Sequence, residues 1–308
     1  MNRREFIKKA AALSGFSAGA LLFGRMGRPG TLFAQDTGPA DTDLVAVRNG
    51  EPDVMFDRGI AALGGMGSFV KRGDTVVLKP NMAWDRPAET GANTNPLLIR
   101  RVIEHIKEAG AKRIYVFDHT VSNWQRCYKN SGIEAAVKEA GGTLVPANSE
   151  KYYQKVTIPG GKTLKKTKVH ELILDSDVFI NIPILKHHSS TRLTGAMKNL
   201  MGMVWNRREF HSSGLNQCIA DASRIRKPDL NILDAYIVTM KNGPGYAGPE
   251  DIVLKKNLLL GRDMVAVDTA GALIHGQEPS SIRYLPFAES AGSGTMNLDS
   301  LSIRRIAL

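Results

Sequence analysis

Between residues 181 and 211 the chain concentrates its acid–base and anion-binding groups. Asn181-Ile182-Pro183-Ile184-Leu185-Lys186-His187-His188 is followed by Gly195-Ala196-Met197-Lys198-Asn199-Leu200-Met201-Gly202 and then by His211. The first run reads as a strand that brings a fixed cation and two titratable imidazoles to a sheet edge. Side chains alternate along extended chain, so one of His187 and His188 is expected to point away from a site. The second run predicts a helix starting near Thr194-Gly195, with Lys198 and Asn199 in its first turns and free N–H groups that add to anion binding. Taken singly, Lys198 reads as a solvated helix lysine and the two glycines as packing residues. Taken together, these residues make a site.

A second group stands at the ends of earlier strands. Lys79, Asn81, Asp118 and His119 close runs of β-branched and aromatic residues, where parallel sheets place their chemistry. The chemistry expected is recognition and proton transfer on an anion. Lys79, Lys186 and Lys198 neutralise it, Asn81 and Asn199 orient it, and His188 with Asp118 or His211 moves protons. Asp118-His119 also has the position of a carboxylate–imidazole pair. A metal reading would use His119, His188, His211 and Asp118. No short His-x-x-x-His spacing supports it, and both the metal and the cofactor stay unknown. Gly243-Pro244-Gly245-Tyr246-Ala247-Gly248-Pro249 is a turn-rich loop that wraps a ligand or joins two strands. The full Gly-x-x-x-x-Gly-Lys-Ser/Thr loop and a Gly-x-Gly-x-x-Gly after the first strand are absent, and Gly-x-Ser-x-Gly occurs only at Gly15 to Gly19 within the expected signal, which removes the ordinary nucleotide-phosphate and serine-hydrolase readings.

The elements that must position these groups alternate. Strands are expected at 44–47, 75–81, 113–118, 143–145, 178–183, 230–234 and 258–261. Helices are expected at 96–110, capped by Asn95 or Thr94 with Pro96 in the first turn, and at 132–140, 216–225 and 264–275. Two β-like runs around Pro159-Gly160-Gly161 signal a hairpin whose second arm carries Lys162, Lys165, Lys166 and Lys168. The alternation predicts an α/β fold, a mostly parallel sheet with helices on both faces, Rossmann-like but without the standard dinucleotide fingerprint.

Composition and the first residues bound where the protein works. Asn2-Arg3-Arg4-Glu5-Phe6-Ile7-Lys8 resembles a twin-arginine export signal. It is followed by an apolar run from Ala10 to Gly24, about 15 residues and too short to span a bilayer, and by a processing site at Leu32-Phe33-Ala34. The expected organisation is a signal at 1–34, a polar linker at 35–43 and one α/β domain at 44–308. The expected location is periplasmic or otherwise exported, with membrane anchoring where the signal is retained. No later segment reads as a membrane span. The 308 residues carry a formal charge of +11, of which the leader's six Arg and Lys and one Glu supply +5. The remaining +6 suits a small anion or an acidic partner and gives little support to nucleic acid. Cys127 and Cys218 are the only two cysteines. They read as a pair or as separate buried thiols, and are too few for an iron–sulfur cluster of the protein's own.

Lys79-Pro80-Asn81, Asn93 to Pro96, Asp118, Pro183 with Lys186 and His188, Gly195-Ala196-Met197-Lys198-Asn199, Asp229 to Asp234 and Gly243 to Gly248 together resemble the domain-of-unknown-function 362 family, from about residue 44 to 276. The resemblance implies one α/β domain and brings no settled activity. Some similar proteins append a cysteine-rich, ferredoxin-like module, and these 308 residues hold no such segment. The expected function is therefore an exported enzyme acting on a small carboxylate-bearing substrate, with the twin-arginine machinery as its export partner. The alternatives are a non-catalytic periplasmic binding or assembly protein that recognises an acidic partner and, after that, a metal- or iron–sulfur-linked redox protein. Replacing Arg3 and Arg4 with Lys is expected to hold the protein in the cytoplasm with its fold intact, because a receptor reads the pair. Cell fractionation checks this, and normal export of the double variant would refute it.

Overall fold

The computed structural model describes residues 42–308. The expected signal at 1–34 and almost all of the 35–43 linker lie outside the described residues. The chain alternates strands and helices because its apolar pattern switches between period two and period 3.6. In order the elements are β1 (Leu44–Arg48), α1 (Pro52–Ala62), β2 (Thr75–Pro80), α2 (Pro96–Glu108), β3 (Arg113–Val116), α3 (Trp124–Asn130), α4 (Ile133–Ala140), β4 (Thr143–Leu144), β5 (Tyr153–Thr157), β6 (Lys166–His170), α5 (Glu171–Asp175), β7 (Val178–Ile182), β8 (Ile184–His188), β9 (Arg192–Thr194), α6 (Ala196–Asn199), α7 (Arg207–Ser213), α8 (Leu215–Ala222), β10 (Leu230–Thr239), β11 (Ile252–Gly261), α9 (Met264–His275), α10 (Tyr284–Ser290) and β12 (Ile303–Ala307).

The main sheet runs β12-β1-β11-β10-β7-β2-β3-β4, with β8 and β9 branching from β10. It is mostly parallel, as the alternation predicts, and the exceptions are β11, antiparallel to both β1 and β10, and the short β9, antiparallel to β8. The Gly- and Pro-rich connection from β10 to β11 contains no α-helix to carry the chain across the sheet, so the chain turns back on itself. β5 and β6 form the expected hairpin as a separate antiparallel ribbon.

Strand residues alternate between two apolar clusters. Val76, Leu78, Ile180 and Ile232 pack with α1, α2 and α4. Val77, Phe179, Leu233 and Leu259 pack with α8, α9 and α10 on the opposite face. A sheet covered on both sides buries its central strands throughout, which is why β2 and β7 read as continuous apolar runs. Cys127 belongs to the first cluster and Cys218 to the second, so they are separate buried thiols. No helix among the described residues is long and apolar enough to cross a membrane.

From β2 the chain crosses through α2 to β3 and then β4, and later returns to place β7 on the other side of β2. Strand order reverses between β2 and β7. The crevice beyond their carboxyl ends is where open α/β sheets bind ligands. Entry into α2 is fixed by Asn95, whose side chain accepts the Leu97 amide at 2.9 Å while Pro96 takes a first-turn position whose N–H would go unused. Asn95→Ala is expected to lower stability by about 1 kcal/mol, read as an earlier urea midpoint with an unchanged slope.

Candidate functional site

The site is built on lateral register. Lys79 on β2 stands beside Asn181 on β7, and Asn181 stands beside Asn231 on β10. Equivalent positions of parallel neighbours share a face, so one polar row crosses three buried strands. Its ends are tied by hydrogen bonds. The Asn231 Oδ1 accepts from Asn181 Nδ2 at 3.0 Å, and the Asn181 Oδ1 accepts from Asn199 Nδ2 at 2.8 Å. The Asn199 Oδ1 then accepts from Asn81 Nδ2 at 3.0 Å, and the Asn81 Oδ1 from Lys186 Nζ at 3.1 Å. Four asparagines thereby connect β10 to β8 through α6 and the loop after β2. Leaving any one of these buried amides unpaired would cost about 1–3 kcal/mol.

Counting donors separates three lysines that look alike in sequence. The Lys79 ammonium is 1 % exposed and has three acceptors for its three hydrogens: Asp118 Oδ1 at 2.8 Å, Asn199 Oδ1 at 2.9 Å and the Pro80 carbonyl at 2.8 Å. It is saturated as a cation. Burial pulls its pKa down, and the Asp118 charge opposes that pull. Lys186 has two acceptors, Asn81 Oδ1 and the Ala92 carbonyl. Two acceptors satisfy a neutral amine and leave its lone pair unused, or leave the third hydrogen of an ammonium without a partner. Burial first, then the Lys198 charge, brings Lys186 down to about 7. Among the described residues the one hydrogen-bond partner of Lys198 is Met201 Sδ, at 3.8 Å. Burial and then the nearby Arg207 charge bring it down to about 8.

Asp118 divides its carboxylate between Lys79 and the Met82 amide, the latter at 3.0 Å. It does not pair with His119. The His119 ring instead donates Nδ1–H to the Val204 carbonyl at 2.9 Å and stacks on Trp205 with centroids 5.2 Å apart. Burial lowers its pKa. The Asp118–Lys79 contact is so close that a Cβ on Gly202 would stand 2.0 Å from Asp118 Oδ1 and 2.5 Å from Lys79 Cε. Residue 202 can therefore only be glycine while the pair stays where it is.

The start of α6 also departs from expectation. Its first amides, of Ala196 and Met197, are taken by the buried Asp268 carboxylate of α9, so they hold no ligand. Gly195 makes this approach feasible, because a Cβ there would meet Asp268 Oδ1 at 2.2 Å. Asn199 is likewise used up, with both hydrogens and both lone pairs engaged by protein.

Above this floor lies a cleft of about 780 Å³. The eight residues singled out from sequence, Lys79, Asn81, Asp118, Lys186, His188, Lys198, Asn199 and His211, all line it. Both His187 and His188 reach its wall. The alternation expected of extended chain does not remove His187, because its Nδ1 accepts the Gly243 amide at 3.2 Å and fastens the 243–248 loop to β8. His188 Nδ1 accepts the Ser190 amide at 3.2 Å, and burial with the Lys198 and Lys186 charges lowers its pKa strongly. The ring is neutral at pH 7 with its hydrogen on Nε2. His211 is exposed at the rim.

Arg207 and Trp84 also line the cleft, and sequence reasoning passed over them, while Tyr246 lines it as part of the turn-rich loop named from sequence. Arg207 donates to the carbonyls of His119 and Thr120. Its signal was its place inside the polar 186–211 segment. Among the described residues no three His, Cys, Asp or Glu side chains come together as metal ligands.

Residues 76–273 match the model of the family described as domain of unknown function DUF362. The chain belongs to the DUF362 family. A thylakoid-associated protein of Synechocystis sp. is 26% identical over 238 residues, covering 75% of this DUF362 chain and 72% of its relative. A solved protein of Thermotoga maritima matches with a TM-score of 0.48 and 14% identity over 74% of the chain. The lactate racemase apoprotein of Thermoanaerobacterium thermosaccharolyticum gives 0.41 and 12% over 77%. The DUF362 chain spans 60% and 58% of those two proteins.

The buried pair is testable by a double-mutant cycle. Lys79→Met strands the Asp118 charge and is expected to cost about 3–5 kcal/mol. Adding Asp118→Leu to it is expected to return a large part of that loss, measured by chemical denaturation.

Proposed function

We propose that this is an exported enzyme that binds a small carboxylate-bearing substrate in the cleft and transfers a proton to or from it. The observation that carries this reading is the donor count. Lys79 is saturated and already neutralises Asp118, the one carboxylate of the cleft. Lys186 and Lys198 keep hydrogen-bonding capacity that no protein group uses. An anion supplies what is missing. Its carboxylate accepts from Lys198 and from the unused N–H groups of Arg207, and charge-assisted bonds of that kind are the strong ones.

The roles divide along pKa. Lys186, near 7, exchanges its proton close to neutral pH, as an acid–base group should. Lys198, near 8, stays charged and holds the anion. His188, neutral and protonated on Nε2, donates a hydrogen bond to the substrate and does not act as the base. Asn81, Asn199 and Lys79 are positioning residues that hold Lys186 and Asp118. His211 stands at the mouth. The pairing of His188 with Asp118 for proton transfer is replaced in this reading by Lys186, because Asp118 is committed to Lys79 and Met82.

Export through the twin-arginine pathway, processing near residue 34 and a single domain over 44–308 are part of the same proposal. The relative's thylakoid association is compatible with action at or beyond a membrane. A redox reading through a cluster of the protein's own is the weakest, with two cysteines on opposite sheet faces.

Proton exchange is read by NMR, with a panel of hydroxy- and oxo-carboxylates incubated with the protein in D2O. The expected result is solvent deuterium beside the carboxylate of one class, fastest between about pH 7 and 8 where Lys186 is neutral and Lys198 charged. Lys186→Met should abolish it. Absence of exchange across the panel together with unimpaired binding would favour the non-catalytic alternative. Affinity for the carboxylate is expected to fall from pH 6 to 9 as both lysines lose charge. Lys198→Ala should weaken it by about 1.5–3 kcal/mol at pH 6. Calorimetric titration measures both.

A further inference from the structure

Beside the cleft lies a second concavity of about 1050 Å³ between the β5–β6 ribbon and the start of α7, where Lys155, Lys166, Lys168 and Trp205 stand with the carboxylates of Glu150 and Glu209 and the cations outnumber them. The two adjoin, since His119, Arg207 and Arg208 line both. The ribbon's register explains the charge. Tyr153 pairs with His170, Lys155 with Lys168 and Thr157 with Lys166. Alternation puts all six on one face. At its root Tyr153 and His170 pack against each other, and Tyr153 meets His119 and Trp205 with centroids 5.8 and 5.3 Å away. The face that begins on His119 and Trp205 continues outward as lysines over the groove.

Directly opposed like charges weaken a ribbon. Lys168 is relieved by Glu150 at 2.5 Å, while Lys155 and Lys166 have no acidic partner among the described residues. The cost of placing Lys155 opposite Lys168 is offset when an anion lies in the groove. We infer that the groove is the second half of the ligand site and that the ligand is a small molecule with two anionic groups, one held in the cleft by Lys198 and Arg207 and the other by Lys155 and Lys166. Arg207 stands at the junction. It is fixed by the His119 and Thr120 carbonyls, so the guanidinium is set before the ligand arrives. This inference rests on the anion reading of the cleft and narrows its substrate class.

Calorimetric titration of the full chain at pH 6, with monocarboxylates and with α,ω-dicarboxylates of increasing length, tests it. One range of dicarboxylate length is expected to bind at least about tenfold tighter than the monocarboxylate of equal length, the gain of one added charge-assisted contact. In Lys155→Ala with Lys166→Ala that gain should vanish and monocarboxylate affinity should stay the same. Both side chains are exposed, so the thermal midpoint should hardly move. If monocarboxylates bind in a Lys198-dependent way and no dicarboxylate gains, or if the gain survives the double variant, the second subsite is wrong and the cleft reading stands. If neither class binds wild type, both fall.

Discussion

One buried ion pair organises this molecule. Removing an ammonium and a carboxylate from water costs several kcal/mol each, and their attraction repays it only where every remaining donor and lone pair is met. Lys79 and Asp118 meet that condition through neighbours fixed to other elements: Asn199 on α6, the Met82 amide after β2, and Gly202, which has no side chain to hold them apart. Strand register then extends the constraint sideways. Because Lys79 lies beside Asn181 and Asn181 beside Asn231, satisfying one buried charge fixes amides on three strands. The rest of the cleft inherits its geometry from this row.

The same saturation explains why the other cations differ from Lys79. Once Asp118 is neutralised, the described residues of the cleft offer no second carboxylate, and on top of burial the Lys198 charge lowers the pKa of Lys186 and the Arg207 charge lowers that of Lys198. Such an arrangement is poor as pure architecture. It is suited to a negatively charged occupant, and it keeps a lysine near neutrality where proton exchange is fast. The opposed lysines of the β5–β6 ribbon repeat this logic in a wetter setting, where the unrelieved charge costs less and selects less.

Much of the fold was legible in the sequence. Long apolar runs with Asn95-Pro96 punctuation mark α2, and continuous β-branched runs mark β2 and β7, because buried parallel strands leave no polar face. The antiparallel β11 was not legible, nor were the added α1, α7 and β12, since short amphipathic pieces take their conformation from what they pack on. The site residues were legible as a group through their density at strand ends. Their division of labour was not. Lys79, Lys186 and Lys198 are chemically one residue type, and only the number of acceptors around each ammonium separates them. Arg207 stood among other basic residues with no spacing to mark it, and Asp268 lay on an apolar helix 72 residues from the amide it binds.

Helix α6 is four residues long, below the length at which a helix sustains itself. Its place is decided by what grips it. One grip comes from Asp268 near the end of the chain, and the other from β2 through Asn199 and the Lys79 carbonyl, 120 residues earlier. Contacts of such sequence separation close only after large loops have been ordered, so they form late. A nascent chain that has emerged only as far as His211 holds every lysine and histidine of the site and still lacks the carboxylate that grips the helix bearing Lys198, which ties competence for binding to the arrival of α9.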